Sequence, residues 1–368
     1  MSVAPQRSGA EELPRPAAHM EAAWIDRWDG PLRIGARPAP SSPGSQSVLV
    51  NVEACGVGLT VLNCLRGDLA SRDTHLPRIP GHEVVGRIVD VGAAVDPARL
   101  GERVMAYFYL HCGRCRMCIA ACESMCQRLA GYVGVDLDGG YAKLATLPAR
   151  NALAIPADID PSLATAIPDA IATPVHVARR GGIGPGDRVA VVASGGGVGI
   201  HMVQVARLYG AAVAGLDVPG PKLDFLGSHF EVEPVDSSDF SRIRLQAGWG
   251  EKADVIIDLL GSEESLAWAL AALAPNGRLV LLTTFRDRTT EMDPRRMVLG
   301  QGSVLGSRYA SRAELAHASD LVQTSRVRPV VSRRVPLRDV ESVHDELRNG
   351  TLLGRGAVVW DTEEPGLA

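Results

Sequence analysis

The sequence predicts an α/β protein in which a doubly wound parallel sheet is joined to an irregular, mostly β domain carrying a metal-bound loop. Three observations predict it. From about Pro168 onward, short apolar runs alternate with helical stretches, the texture of a doubly wound sheet. A glycine-rich turn, Ser194-Gly195-Gly196-Gly197-Val198-Gly199, joins the first of these strands to its helix. Four cysteines, Cys112, Cys115, Cys118 and Cys126, follow the spacing C-x2-C-x2-C-x7-C.

Taken in order, the first 18 residues hold three prolines and several charges but no apolar core, so residues 1–19 read as a disordered extension and not a secretory signal. From about Ala22 to Leu153 the chain is rich in Gly and Pro, with β-type runs at Val48–Val52, Val84–Val91 and Arg103–Ala106. Turn signals at Pro43-Gly44, Pro80-Gly81 and Gly139-Gly140 separate them. Arg188–Ala193 then reads as a buried strand and Ile200–Tyr209 as a helix with apolar residues at helical spacing. Further strands are expected at Ala211–Leu216, Val255–Leu260 and Leu279–Thr283, with a helix over Ser265–Leu273. A last strand, Ala357–Trp360, ends the pattern.

Bulk properties narrow the function. With 368 residues, 46% hydrophobic and 22% charged, the chain is long enough for two globular domains. A net charge of −4 with no basic block argues against nucleic acid. No apolar run approaches the roughly 18 residues that read as a membrane span. Seven cysteines, five of them clustered, fit metal binding in a reducing cytoplasm better than a disulfide framework.

The four regularly spaced thiols suit a tetrahedral zinc ion with a closed, purely structural shell. Binding energy of about 10–16 kcal/mol, as in zinc-finger peptides, would order a lobe whose residues Gly113, Arg114, Arg116 and Gln127 build no core. Cys122 falls off the pattern and reads as a spare thiol. In the glycine-rich turn, Ser194 stands at the first glycine position of a dinucleotide fingerprint, while Gly196 and Gly199 hold the second and third. Gly197 and Val198 complete the turn, where a pyrophosphate would meet a helix N-terminus. Asp217 closes the next strand, where a carboxylate accepts hydrogen bonds from ribose hydroxyls and repels a 2′-phosphate. NAD(H) is therefore favoured over NADP(H), although Lys222 nearby would tolerate a phosphate.

At this point the chain resembles the zinc-containing alcohol dehydrogenases of the medium-chain dehydrogenase/reductase superfamily. The likeness runs from Met20 to Trp360. It includes the cysteine run, Pro80-Gly81-His82-Glu83, the stretch Gly184–Tyr209, Ala253–Asp258 and Gly354-Arg355-Gly356. The resemblance implies a GroES-like catalytic domain from both chain ends (20–168 and 308–368), with a zinc lobe at about 111–127, around a Rossmann NAD-binding domain (169–307). It also implies a small-molecule substrate, a homodimer or homotetramer, Arg355 near the pyrophosphate and Phe108 lining the substrate pocket.

The catalytic centre departs from the family pattern. Family members hold a second, catalytic zinc on three ligands with one open position. The first ligand, normally cysteine, falls at Gly58, which has no side chain to offer. His82 keeps the second position, with Glu83 beside it, and Asp169 stands where the third is expected. The carboxylate that would orient the histidine falls at Val61, so ligand and supporting group are missing together. Thr60 matches the hydroxyl that contacts substrate oxygen, while the histidine ending the usual proton relay is Asn63. Three readings stay open, in this order. The catalytic metal is lost, or zinc persists on His82 and Asp169 with help from Glu83, Cys55 or Cys64, or the chain binds NAD without catalysis. The leading expectation is an NAD(H)-dependent oxidoreductase of a small alcohol or carbonyl compound. A metal-independent reductase of activated C=C or C=N bonds is the alternative.

Overall fold

In the computed structural model, the described residues are 18–245, 249–283 and 289–360. The expected N-terminal extension lies outside them except at its last two residues, and His19 already opens the first strand. Strands β1 (His19–Trp24) and β2 (Arg33–Pro38) form an antiparallel pair. Strand β3 (Ser47–Val57) follows, running well past the predicted Val52, then helix α1 (Leu59–Arg66). Strands β4 (Val84–Val91) and β5 (Arg103–Ala106) match the sequence reading. Next come the short helix α2 (Arg116–Ile119) in the cysteine lobe, β6 (Leu144–Pro148) and β7 (Ala152–Ala154). Helices α3 (Pro161–Ala164) and α4 (Ala172–Arg180) lead into the second domain.

There the alternation is regular. It runs β8 (Arg188–Val192), α5 (Gly199–Leu208), β9 (Ala212–Asp217), α6 (Pro221–His229) and β10 (Glu233–Asp236). Then follow β11 (Ala253–Asp258), α7 (Glu263–Ala272), β12 (Leu273–Leu281), α8 (Pro294–Gly300) and β13 (Ser303–Gly306). The chain returns through α9 (Arg312–Gln323), β14 (Val331–Val335), α10 (Val340–Arg348) and β15 (Arg355–Val359).

Two sheets organise the molecule. The second domain holds an all-parallel sheet in the order β10-β9-β8-β11-β12-β13, the doubly wound arrangement in which ligands sit beyond the strand C-termini. Val189, Ala190, Val191 and Val192 are all fully buried because helices cover both faces. The other sheet runs β14-β15-β3-β4-β5-β7, with β6 also paired to β3. It joins the two chain ends: β15 lies antiparallel to β3, Gly356 opposite Val57 and Ala357 opposite Gly56. That register brings Arg355 beside Gly58. Fully buried Val48, Val50, Val52, Val85 and Ile88 form its core, each side chain worth about 1.5–3 kcal/mol.

Candidate active site

Four short pieces of backbone converge between the two domains. At the end of β3, Gly58 caps α1 in an extended conformation, and Thr60 lies half-buried in the first turn of that helix. Before β4, Gly81 has a φ of +94°, and a Cβ there would come within 2.6 Å of Tyr141 and 2.8 Å of the Cys55 sulfur. Only glycine fits, and the turn delivers His82 and Glu83 into the interior, 2% and 0% exposed. Asp169 sits in a single π-helical turn, Ile167–Ile171, where Ile171 N–H donates to the Ala166 carbonyl. Such turns often mark functional positions. Arg355 opens β15.

These residues form one buried charge cluster. Arg355 Nη2 donates to Glu83 Oε1 at 2.5 Å and to Asp169 Oδ2 at 2.7 Å. Thr173 Oγ1 donates to the other Asp169 oxygen at 3.0 Å. His82 Nε2 lies 3.5 Å from Asp169 and 3.9 Å from Glu83, beyond hydrogen-bonding range, and its ring packs on Phe108 with centroids 4.5 Å apart. Burial pushes the Glu83 carboxyl up to about 7 against the lowering charges of Arg355 and His82. Burial also opposes ionisation of Asp169, yet His82 and Arg355 outweigh it and hold that carboxyl well below the usual range.

Arg355, expected near the pyrophosphate, touches both sites. Its stem does cross the glycine-rich turn, since a Cβ on Gly197 would meet Arg355 Cδ at 2.8 Å. The guanidinium, however, turns into the catalytic cluster, where a Cβ at position 58 would stand 1.5 Å from Nη1. Ligand atoms of His82, Glu83 and Asp169 lie within 4.8 Å of one another, close enough for an ion. A cation already bridges the two carboxylates, and Gly58 offers no donor. Cys55 and Cys64 are buried thiols and do not join the group that His82, Glu83 and Asp169 form. The residues present therefore do not fit a catalytic zinc.

At the nucleotide turn, Gly196, Gly197 and Val198 are partly exposed while Ser194 and Gly199 are buried. Ser194 turns its hydroxyl inward to the Leu216 carbonyl at 3.1 Å, so it fastens the turn to β9 and offers a coenzyme only backbone. A Cβ on Gly199 would stand 2.3 Å from the Ala193 carbonyl oxygen, the close strand–helix approach that demands glycine. Asp217 accepts from Gly195 N–H at 2.7 Å and Val218 N–H at 2.9 Å, and a carboxylate has lone pairs left for ribose hydroxyls. Lys222 lies beside it; burial lowers its amine and Asp217 opposes that.

The cysteine lobe fits a metal. Sulfur separations are 3.5 Å for Cys115–Cys118 and 3.9 Å for Cys112–Cys118 and Cys115–Cys126. A tetrahedron with Zn–S bonds of about 2.3 Å has edges of about 3.8 Å. Backbone N–H groups of Cys112 and Arg128 donate to Cys126, and those of Cys118 and Gln127 bring Cys115 down to about 6. Cys122 points instead to the Ala120 carbonyl.

The sequence reading missed two features. Tyr109 and Tyr309 stack at 5.0 Å, Tyr132 lies 5.0 Å from Phe108, and Arg308 donates to the Tyr109 and Tyr132 hydroxyls. Nothing in the spacing of these scattered tyrosines points to a shared wall. His201, fully buried on α5, donates from Nδ1 to the Gly197 carbonyl at 2.7 Å and accepts from Val330 N–H at 2.9 Å. It ties the nucleotide turn to the segment that leads into β14, the strand paired with β15. A histidine two residues after the last glycine of the turn was the available signal.

Comparison with known proteins agrees with this architecture. Residues 44–157 match the family described as alcohol dehydrogenase GroES-like domain, and residues 197–324 match zinc-binding dehydrogenase. A probable D-xylulose reductase A from Neosartorya fischeri is 33% identical over 259 residues, 68% of this chain and 71% of that protein. The chain belongs to the zinc-containing alcohol dehydrogenase family of the medium-chain dehydrogenase/reductase superfamily. An NAD-dependent alcohol dehydrogenase from Sulfolobus acidocaldarius is 24% identical over 344 residues, covering 91% of this chain and 98% of that one. The structure of a cobalt- and zinc-bound alcohol dehydrogenase from Pyrobaculum aerophilum superposes with a TM-score of 0.83 at 28% identity, over 93% of this chain and 100% of that chain. This member of the family is an NAD-dependent, alcohol-dehydrogenase-like oxidoreductase acting on a small molecule. Among the described residues, no helix is long and apolar enough to cross a membrane.

Proposed function

We propose that the protein transfers hydride between nicotinamide C4 and the carbon of a small alcohol or carbonyl compound in the cleft bordered by Thr60, His82, Phe108 and Asp169. One observation carries the reading: the coenzyme turn and the buried polar cluster are physically continuous. Gly196 bridges to Gly354, and the next residue, Arg355, reaches Glu83 and Asp169. A dinucleotide laid along that turn would bring its nicotinamide toward the cluster.

Each residue has a separate role in this reading. Gly196, Gly197 and Val198 present backbone to the pyrophosphate, and Asp217 holds the adenosine ribose, favouring NAD(H) over NADP(H). Thr60 passes the substrate proton, Phe108 shapes the pocket, and His82 faces it with both ring nitrogens unpartnered. Glu83 acts by holding Arg355. A single structural zinc sits on Cys112, Cys115, Cys118 and Cys126. The protein works in the cytoplasm, where those thiols stay reduced. It works as a dimer or tetramer, for which the outer strand β13, with exposed Val298, Leu299 and Val304 around it, offers an edge.

The bridged cluster favours a second reading. Without a Lewis acid worth several kcal/mol, conjugated C=C or C=N acceptors need less polarisation than simple ketones. One experiment addresses both: deuterium-labelled NADH is offered with ketones, aldehydes, enones and imines, and the product is examined for label. Label at a carbinol carbon supports the first reading, and label at the saturated carbon of a former C=C bond or at an amine-bearing carbon the second. Thr60→Val should lower carbonyl turnover by about 10²–10⁴-fold with NADH affinity intact. No labelled product from any class, with NADH bound, would overturn both.

A further inference from the structure

We propose that the guanidinium of Arg355 takes the place of the catalytic metal in this chain, and that Gly58 is the residue that makes room for it. The two positions are coupled sterically. A Cβ at position 58 would lie 1.5 Å from Arg355 Nη1 and 2.4 Å from Cζ, so no side chain at 58, a metal-binding cysteine included, coexists with this arginine placement. The same holds at Gly56, where a Cβ would lie 1.9 Å from Glu83 Oε2. Gly56 near the end of β3 and Gly58 just beyond it thus open the volume that the arginine–glutamate pair fills.

The charge balance is the second argument. Glu83 and Asp169 approach one point in a region almost closed to water, where two carboxylates need a cation between them. Arg355 Nη2 supplies it, 2.5 and 2.7 Å from the two oxygens, and a guanidinium stays charged at every working pH. The register of β15 on β3, with Gly356 opposite Val57, holds the group there from the backbone outward. Arg355 gives its Nη2 hydrogen bonds to the two carboxylates. It is a positioning residue that fixes the carboxylates, and unlike an ion it has no open coordination position.

Metal counting tests this without substrate or coenzyme, so its outcome is independent of the hydride-transfer reading. The purified chain is equilibrated with excess zinc, freed of unbound ion and analysed for metal per chain. We expect one zinc, lost in Cys115→Ser. Arg355→Ala, which leaves His82, Glu83 and Asp169 unbridged, should bind a second ion, rising from one to two per chain. Cobalt(II) in place of zinc should then give that variant a second set of visible absorption bands. Two zinc ions on the unaltered protein overturn the proposal, and so does an Arg355→Ala chain that still binds one. Should Arg355→Ala fail to fold, the count on the unaltered protein decides alone.

Discussion

His201 gives the nucleotide turn a specific acid sensitivity. Burial pushes its imidazole down to about 4, against the hydrogen bond to Gly197 and with help from the Arg355 charge. In the unfolded chain the ordinary value is about 6.5. The folded state therefore refuses a proton that the unfolded state accepts, so stability is lost as pH falls through 6.5 and levels off below 4. Full protonation of both states would cost about 2.5 pKa units, or about 3 kcal/mol at 1.36 kcal/mol per unit. Between pH 7.5 and pH 5 the linkage relation gives a loss of about 2 kcal/mol. Protonation also removes the acceptor for Val330 N–H, which loosens the turn from β14, the neighbour of the strand that carries Arg355. The assay is urea unfolding across this range for the natural chain and for His201→Gln, whose amide can both donate and accept but does not titrate. Subtracting the two curves removes other groups, including Glu83, whose raised value works in the opposite direction over the same range. The natural chain should lose about 2 kcal/mol relative to His201→Gln from pH 7.5 to pH 5. Parallel curves for the two proteins would refute the reasoning.

Two further outcomes follow from the sites. Asp217→Asn removes the charge and one of the two oxygens that accept from Gly195 and Val218, and NADH affinity should fall about 10-fold or more, as expected for a lost hydrogen bond to a charged group. NADPH affinity should fall less, and the ratio measured by coenzyme fluorescence titration checks it. Cys115→Ser removes one of four zinc ligands; the chain should lose its zinc, and protease cleavage should appear first in the lobe around 111–127, read by mass spectrometry.

Much of the architecture is legible where the signal is local. Val84–Val91 and Arg103–Ala106 are strands at the bounds their β-type composition suggests. The nucleotide turn is readable because its glycines answer to steric limits within a few residues, as Gly199 against Ala193 illustrates. The cysteine lobe is readable for the same reason. The strand predicted at Leu279–Thr283 begins earlier, at Leu273, which pairs with Ala253 of β11 across a register shift. The catalytic cluster is a different matter. Position 58 announces a missing ligand, but the sequence does not say what fills the volume. Arg355 is 272 residues from Glu83 and 186 from Asp169, and its destination depends on the register of β15 against β3. The tyrosine wall is equally non-local, assembled from Tyr109, Tyr132 and Tyr309 on separate loops.

The joining of both chain ends in one sheet has a consequence for biosynthesis. A ribosome releases β3, Glu83 and Asp169 long before Arg355, so the nascent chain carries two inward-facing acids with no counter-charge while the parallel-sheet domain is made. That middle domain has its own strand–helix alternation and can form as a unit during synthesis. The first domain cannot close, because β15 is the neighbour on which the far edge of β3 depends. Vectorial synthesis thus imposes an order: inner domain first, outer sheet last. Arg355 arrives as the keystone, and a ribosome stalled short of it would leave a protein with a formed coenzyme fold and an unfinished reaction centre.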